Sequence, residues 1–200
     1  FKDHPDWFMM DKQGHRTVQQ PCLTHPEVRA HFKRQLRAYI EKDRAACAKD
    51  GRPAPRIYDI SQNDHQVYCE CPACAAVIAK KGCSGLMLDF VNDIAASVKD
   101  DWPDVRVMTF AYVWTKEPPL DGTRAADNVI VRFCNTESNL AGSIRDADNT
   151  WLLKTLRGWS AHAKELFLTL CDWNSEGPCS LESIWGDEVG LSHARCFPAV

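Results

Sequence analysis

Apolar positions along the chain follow two alternating rhythms. Short runs rich in β-branched and aromatic residues start at Ile57, Val105, Val129 and Leu166, and they have the length and composition of buried strands. Between them, apolar residues recur every three or four positions, the spacing of helices with one buried face. Val28, Phe32, Leu36, Tyr39 and Ile40 share such a face. Thr24 and Glu27 read as a capping box before it, with Pro26 in the first turn and Arg29, Lys33, Arg34 and Arg37 on the solvated side. After Cys74 a short helical piece reaches Lys80, Gly82 interrupts it, and Ser84 caps a second helix carrying Leu86, Phe90, Ile94 and Val98. A third helix is expected over residues 146–164, with Leu152, Leu156 and Trp159 inward. Gln19 to Leu23 is one more short strand, and Trp7 to Met10 form an apolar patch that ends in a turn at Asp11 to Gly14.

Strand, helix, strand at these intervals predicts parallel strands joined by helical crossovers. Only the connection from 112 to 129 departs from this pattern, being short and marked by Pro118 and Pro119. Residues 175–200 have no sustained period and are expected to form an irregular tail behind a domain covering 1–174.

Each strand ends in the same manner. The run from Ile57 gives out into Ser61, Gln62, Asn63, Asp64 and His65. The run from Val105 leads to Tyr112, Trp114 and Thr115, that from Val129 to Asn135, Thr136 and Glu137, and that from Leu166 to Asp172, Trp173 and Asn174. Parallel α/β sheets and barrels bind ligands at this edge, where loops vary while the opposite edge maintains the fold.

Composition narrows the picture. The 200 residues suffice for one ordinary domain with a full apolar core. A net charge of −3, with basic residues dispersed, argues against a nucleic-acid partner. No apolar run approaches the length of a membrane span. The first residues, Phe1 to Trp7, read like the interior of a longer protein, so export is neither read nor excluded.

Asp64 and Glu137 are the acids best placed for catalysis: both follow a strand end and both have orienting amides beside them, Gln62, Asn63 and Asn135. Two carboxylates among Tyr112, Trp114 and Trp173 suit glycoside hydrolysis, in which one acid protonates the leaving oxygen and another group steadies the cationic sugar. Aromatic rings complement that chemistry by packing on sugar C–H faces. His65, Asp172 and His4 complete the candidate substrate contacts. The same pattern also fits carboxylates that merely cap loops, and His4 beside Pro5 also fits a structural role. Ten cysteines raise the question of metal. Cys69, Cys71, Cys74 and Cys83 could hold zinc, pair as a disulfide, or stay reduced and packed, while Cys22, Cys134 and Cys171 read as small buried hydrophobes.

His4 to Phe8, Ser61 to Asp64, the Cys69, Cys71, Cys74 spacing, Phe90 to Asn92, Ala111-Tyr112 with Pro118-Pro119, and Asn128 to Arg132 together resemble the bacterial domain of unknown function 4838, part of which is classed as glycoside hydrolase family 163. The resemblance runs from about residue 1 to 174. It implies a TIM-type (β/α)8 barrel, of which about five strands lie in this chain, and a retaining endo-β-N-acetylglucosaminidase acting on glycans that contain N-acetylglucosamine. By motif position Asp64 would orient the substrate's 2-acetamido group and Glu137 would act as acid and then base. No cofactor is implied, and a secreted or periplasmic location is. Two other readings are a sugar-binding domain without turnover and a zinc-stabilised interaction domain.

Overall fold

The structure is a computed structural model that describes residues 2–139, 141, 143–170 and the strand Arg195–Cys196. Among the described residues seven strands and three α-helices follow one another: β1 (Phe8–Met10), β2 (Arg16–Pro21), α1 (Pro26–Asp50), β3 (Ile57–Asp59), α2 (Pro72–Ala96), β4 (Arg106–Ala111), β5 (Val129–Asn135), α3 (Thr150–Ser160), β6 (Glu165–Leu170) and β7 (Arg195–Cys196). Short 3-10 turns at Val113–Thr115 and Ala147–Asn149 follow β4 and precede α3.

The architecture is mixed α/β, as the alternating rhythms imply. One sheet has the order β6-β5-β4-β3-β7, and each of its neighbouring strands is parallel. From β3 to β6 every strand lies beside its predecessor in sequence. Their C-terminal ends therefore face one edge, and the segments after Asp59, Ala111 and Asn135 leave from it in turn.

The two faces of the sheet differ in chemistry. Tyr58, Ile60, Val107 and Val129 belong to a core shared with Leu36 and Ile40 of α1 and Phe90 and Ile94 of α2. Val131 and Phe133 pack with Leu152 and Trp159 of α3. Because side chains alternate along a strand, Asp59, Met108, Phe110, Ile130 and Arg132 fall on the other face. There the Arg132 guanidinium lies 4.1 Å from the centre of the Phe110 ring and 4.0 Å from the Asp59 carboxylate.

Three expectations require correction. The segment from Gln19 lies outside the parallel sheet: β2 pairs antiparallel with β1, so the turn at Asp11 to Gly14 closes a hairpin. His25 caps α1 in place of Thr24, its ring accepting the Glu27 N–H at 3.2 Å, while the Thr24 hydroxyl contacts the Cys74 sulfur at 3.2 Å. The basic side of α1 is also not simply solvated, since Arg29 and Lys33 pair with Asp93 of α2 at 3.3 and 2.6 Å. Arg37 reaches Asp101 at 2.5 Å.

The interruption in the second helical segment is present. Gly82 has φ 76° and ψ 170°, a conformation reserved for glycine, and α2 is kinked there into two helical pieces.

Candidate functional site

At the strand-end edge the candidate amides are engaged with neighbouring segments. Gln62 is buried, and both ends of its amide are engaged: Nε2 donates to the Tyr112 carbonyl at 2.7 Å, and Oε1 accepts from the Thr115 hydroxyl at 2.6 Å. It thereby fastens the segment after β3 to the segment after β4. Asn63 is fastened in the other direction, donating from Nδ2 to the Gln19 carbonyl at 2.7 Å, while the Gln20 amide brackets its backbone N–H and C=O. These amides position loops and leave the next residues, Asp64 and His65, exposed to solvent.

Asn135 does the same work after β5. Its side chain donates to the Ser138 hydroxyl and accepts the Ser138 N–H, which folds the segment bearing Glu137 into a tight turn. Glu137 is exposed, and the Lys116 ammonium stands 2.8 Å from each of its oxygens. Lys116 also lies 4.9 Å from the centre of the Trp151 ring. Buried Asn149 anchors the rest of this loop by accepting from the Asn139 N–H and donating to the carbonyls of Asn139 and Ser143.

Between β4 and Lys116 the backbone is strained: Val113 has φ 51°, a left-handed conformation that is an outlier for a β-branched residue. It sits between Tyr112 and Trp114, two of the aromatic candidates. Trp114 packs against Tyr68 with ring centres 5.8 Å apart, and its buried indole N–H has no partner among the described residues. A small cavity, partly open to solvent, lies here, bounded by Gln20, Ser61, Gln62, Tyr68 and Trp114 with Phe90 among its apolar lining. Asp64 and Glu137 are not among its lining residues.

His4 stacks on Trp7 at 4.5 Å, and that ring is tied to α1 by its N–H donated to Glu27 at 3.1 Å. Asp172, Trp173, Asn174 and Cys171, with most of 175–200, lie outside the described residues; Arg195–Cys196 pairs with Tyr58 and Asp59 as a strand.

One titratable group escapes a reading based on strand tips. Asp59 is buried in β3, hidden within an apolar run, and burial pushes its carboxyl up to about 6 against the pull of the Ser61 hydroxyl and Arg132.

The cysteines regroup. The sulfurs of Cys22, Cys69, Cys71 and Cys74 all lie within 4.8 Å of one another. Cys83 is not in the group; it follows the Gly82 break, half-buried, and Cys22 takes the place expected for it. Hydrogen bonds from Cys69 and Cys74 push the Cys22 thiol far down, and the same contacts push those two partners up.

No described helix is long and apolar enough to cross a membrane. No curated protein matches the chain. The sequence model of the family described as Domain of unknown function (DUF4838) matches residues 1–174, and the chain belongs to that family.

Proposed function

We propose that this chain is the greater part of a (β/α)8 barrel of the glycoside hydrolase family 163 type, a retaining endo-β-N-acetylglucosaminidase acting on N-glycan-type substrates. The observation that carries the reading is the sequential order of β3, β4, β5 and β6, all parallel, which turns the segments bearing Asp64, Trp114 and Glu137 toward one edge. From β3 to β6 each strand lies beside the one before it, as in a barrel, and the late strand β7 lies beside β3, as a barrel's last strand lies beside its first. A second face that mixes Asp59 and Arg132 with Met108, Phe110 and Ile130 also suits the interior of a barrel.

In this reading Asp64 orients the 2-acetamido group of the substrate as its carbonyl oxygen attacks the anomeric carbon. Glu137 donates a proton to the departing glycosidic oxygen, then takes one from the water that opens the cyclic intermediate. Lys116 occupies both Glu137 oxygens and has to yield one of them when substrate arrives. Tyr112 and Trp114 offer ring faces to the sugar, and the strained backbone at Val113 fixes where those rings stand.

The test is hydrolysis of an N-glycopeptide by the full-length protein and by Asp64→Asn and Glu137→Gln. Glu137→Gln is expected to lower kcat at least about 100-fold, the usual size of a lost proton-transfer group, and Asp64→Asn to lower kcat through the lost orientation of the acetamido group, both with glycan binding retained. Full-length protein that binds the glycopeptide without cleaving it favours a sugar-binding domain, and variants with undiminished turnover exclude these acids from the chemistry.

A further inference from the structure

We propose that Cys22, Cys69, Cys71 and Cys74 form a structural site for a single tetrahedral metal ion, zinc by preference, that clamps the N-terminal hairpin and the start of α1 to the first turn of α2. Four thiolates around zinc at the usual bond length of about 2.3 Å define a tetrahedron with edges of about 3.8 Å. The sulfur of Cys22 stands 3.7 Å from that of Cys71 and 3.8 Å from that of Cys74, and the whole set spans no more than 4.8 Å. Disulfide sulfurs would lie about 2 Å apart. A multi-iron cluster would need its sulfurs spread widely enough to enclose several metal atoms. The spacing observed fits one ion.

The surroundings suit negative sulfur. The Met10 N–H points at the Cys69 sulfur at 3.4 Å, and the Thr24 hydroxyl contacts that of Cys74 at 3.2 Å. Cys71 is the N-cap residue of α2 and Cys74 lies in its first turn, where unpaired backbone N–H groups and the positive end of the helix dipole favour thiolates. Binding of the ion displaces the remaining thiol protons to solvent.

All four cysteines are buried, at 0 to 5% exposure, and four protein ligands leave no open position. These are the marks of a structural site, as opposed to one that activates water. What it holds is specific. Cys22 directly follows β2, Cys69 and Cys71 lie on the approach to α2, and the connection between β3 and Cys69 carries Gln62, Asn63 and Asp64. Cys69 also lines the cavity beside Trp114 and Tyr68. Metal binding therefore orders one wall of the candidate site without joining the reaction, and it stands independently of any glycosidase activity.

The experiment is metal analysis of freshly purified full-length protein, with Cys22→Ser, Cys74→Ser and Cys83→Ser beside it. Zinc is expected at about one per chain in the parent and in Cys83→Ser, falling to background in the other two. Where a Ser variant fails to fold, cobalt added to the metal-stripped parent protein replaces it as the readout. Intense visible bands with thiolate-to-cobalt charge transfer are then expected. Absence of bound metal together with a cobalt spectrum lacking those features overturns the site. A disulfide between any two of the four cysteines in the native protein, or loss of metal in Cys83→Ser equal to that in Cys22→Ser, does so too.

Discussion

Thr115 donates its hydroxyl hydrogen to Gln62 Oε1 at 2.6 Å, and this bond closes a buried seam between the segments that leave β3 and β4. The other end of the Gln62 amide donates to the Tyr112 carbonyl. Two loops are thus held in register by one side chain. Gln62→Ala removes both bonds and leaves a buried hydroxyl and carbonyl without that partner, a loss of about 2–3 kcal/mol. Thr115→Val breaks the same seam from the other side. Urea unfolding of the two single variants and the double variant is expected to show a combined loss clearly smaller than the sum, because both delete one shared bond. Strict additivity would mean that the seam carries no coupling.

Asp59 gives stability a definite pH dependence. Unfolded, its carboxyl titrates near the ordinary value of 3.8, and folded it is pushed up to about 6 by burial. Between those values the folded chain holds more protons than the unfolded one, so this group's contribution is fully present below about pH 4 and is lost as pH rises through about 6. The difference amounts to about 3 kcal/mol. Asp59→Asn cannot ionise, so relative to the parent its stability is expected to climb across that window and then level off. Denaturation curves collected from pH 4 to 7 measure this, and parallel profiles for parent and variant would remove Asp59 as the cause.

Periodicity carried most of the fold. Val28, Leu36 and Ile40 mark the buried face of α1, and the runs at Ile57, Val105, Val129 and Leu166 mark β3 to β6, because burial on one face or both imposes regular spacing. The hairpin was not legible as such: β1 is three residues long, and β2 carries Thr17, Val18, Gln19 and Gln20 with only Gln20 buried, so no alternation survives. Cys83 lies nearer in sequence to Cys69, Cys71 and Cys74 than Cys22 does, yet Cys22 joins them, since β2 delivers it across the whole of α1 and β3, a closure that spacing cannot see. Gln62 and Asn135 could be recognised as polar groups at a strand end. That their amides face other loops and not a ligand depends on partners such as Thr115 and Ser138, which only the tertiary arrangement supplies.

Val113 holds a conformation that asparagine tolerates far better than valine does. Relief of that strain by Val113→Asn is expected to stabilise the protein by about 1 kcal/mol. If the strain serves to aim Tyr112 and Trp114, the gain in melting temperature is accompanied by weaker glycan binding. A variant less stable than the parent would show that the valine side chain contributes more through packing than its backbone loses.

Gly158 offers the opposite case, a helical glycine that alanine cannot replace. In an unencumbered helix Gly→Ala adds up to about 1 kcal/mol of stability. Here a Cβ on Gly158 would stand 2.7 Å from Cγ of Pro118, a ring atom with little freedom to withdraw. The contact is part of a wider seating of the loop on α3, because Trp159, the next residue, donates its indole N–H to the Lys116 carbonyl at 2.7 Å. Overpacking of this kind costs about 1–3 kcal/mol, more than helix propensity returns, so Gly158→Ala is expected to be net destabilising and to lower the melting temperature. Adding Pro118→Ala removes the obstructing ring and is expected to recover much of the loss. A Gly158→Ala protein more stable than the parent would mean that the loop bearing Lys116, and with it the ion pair to Glu137, does not rest on α3 in this way.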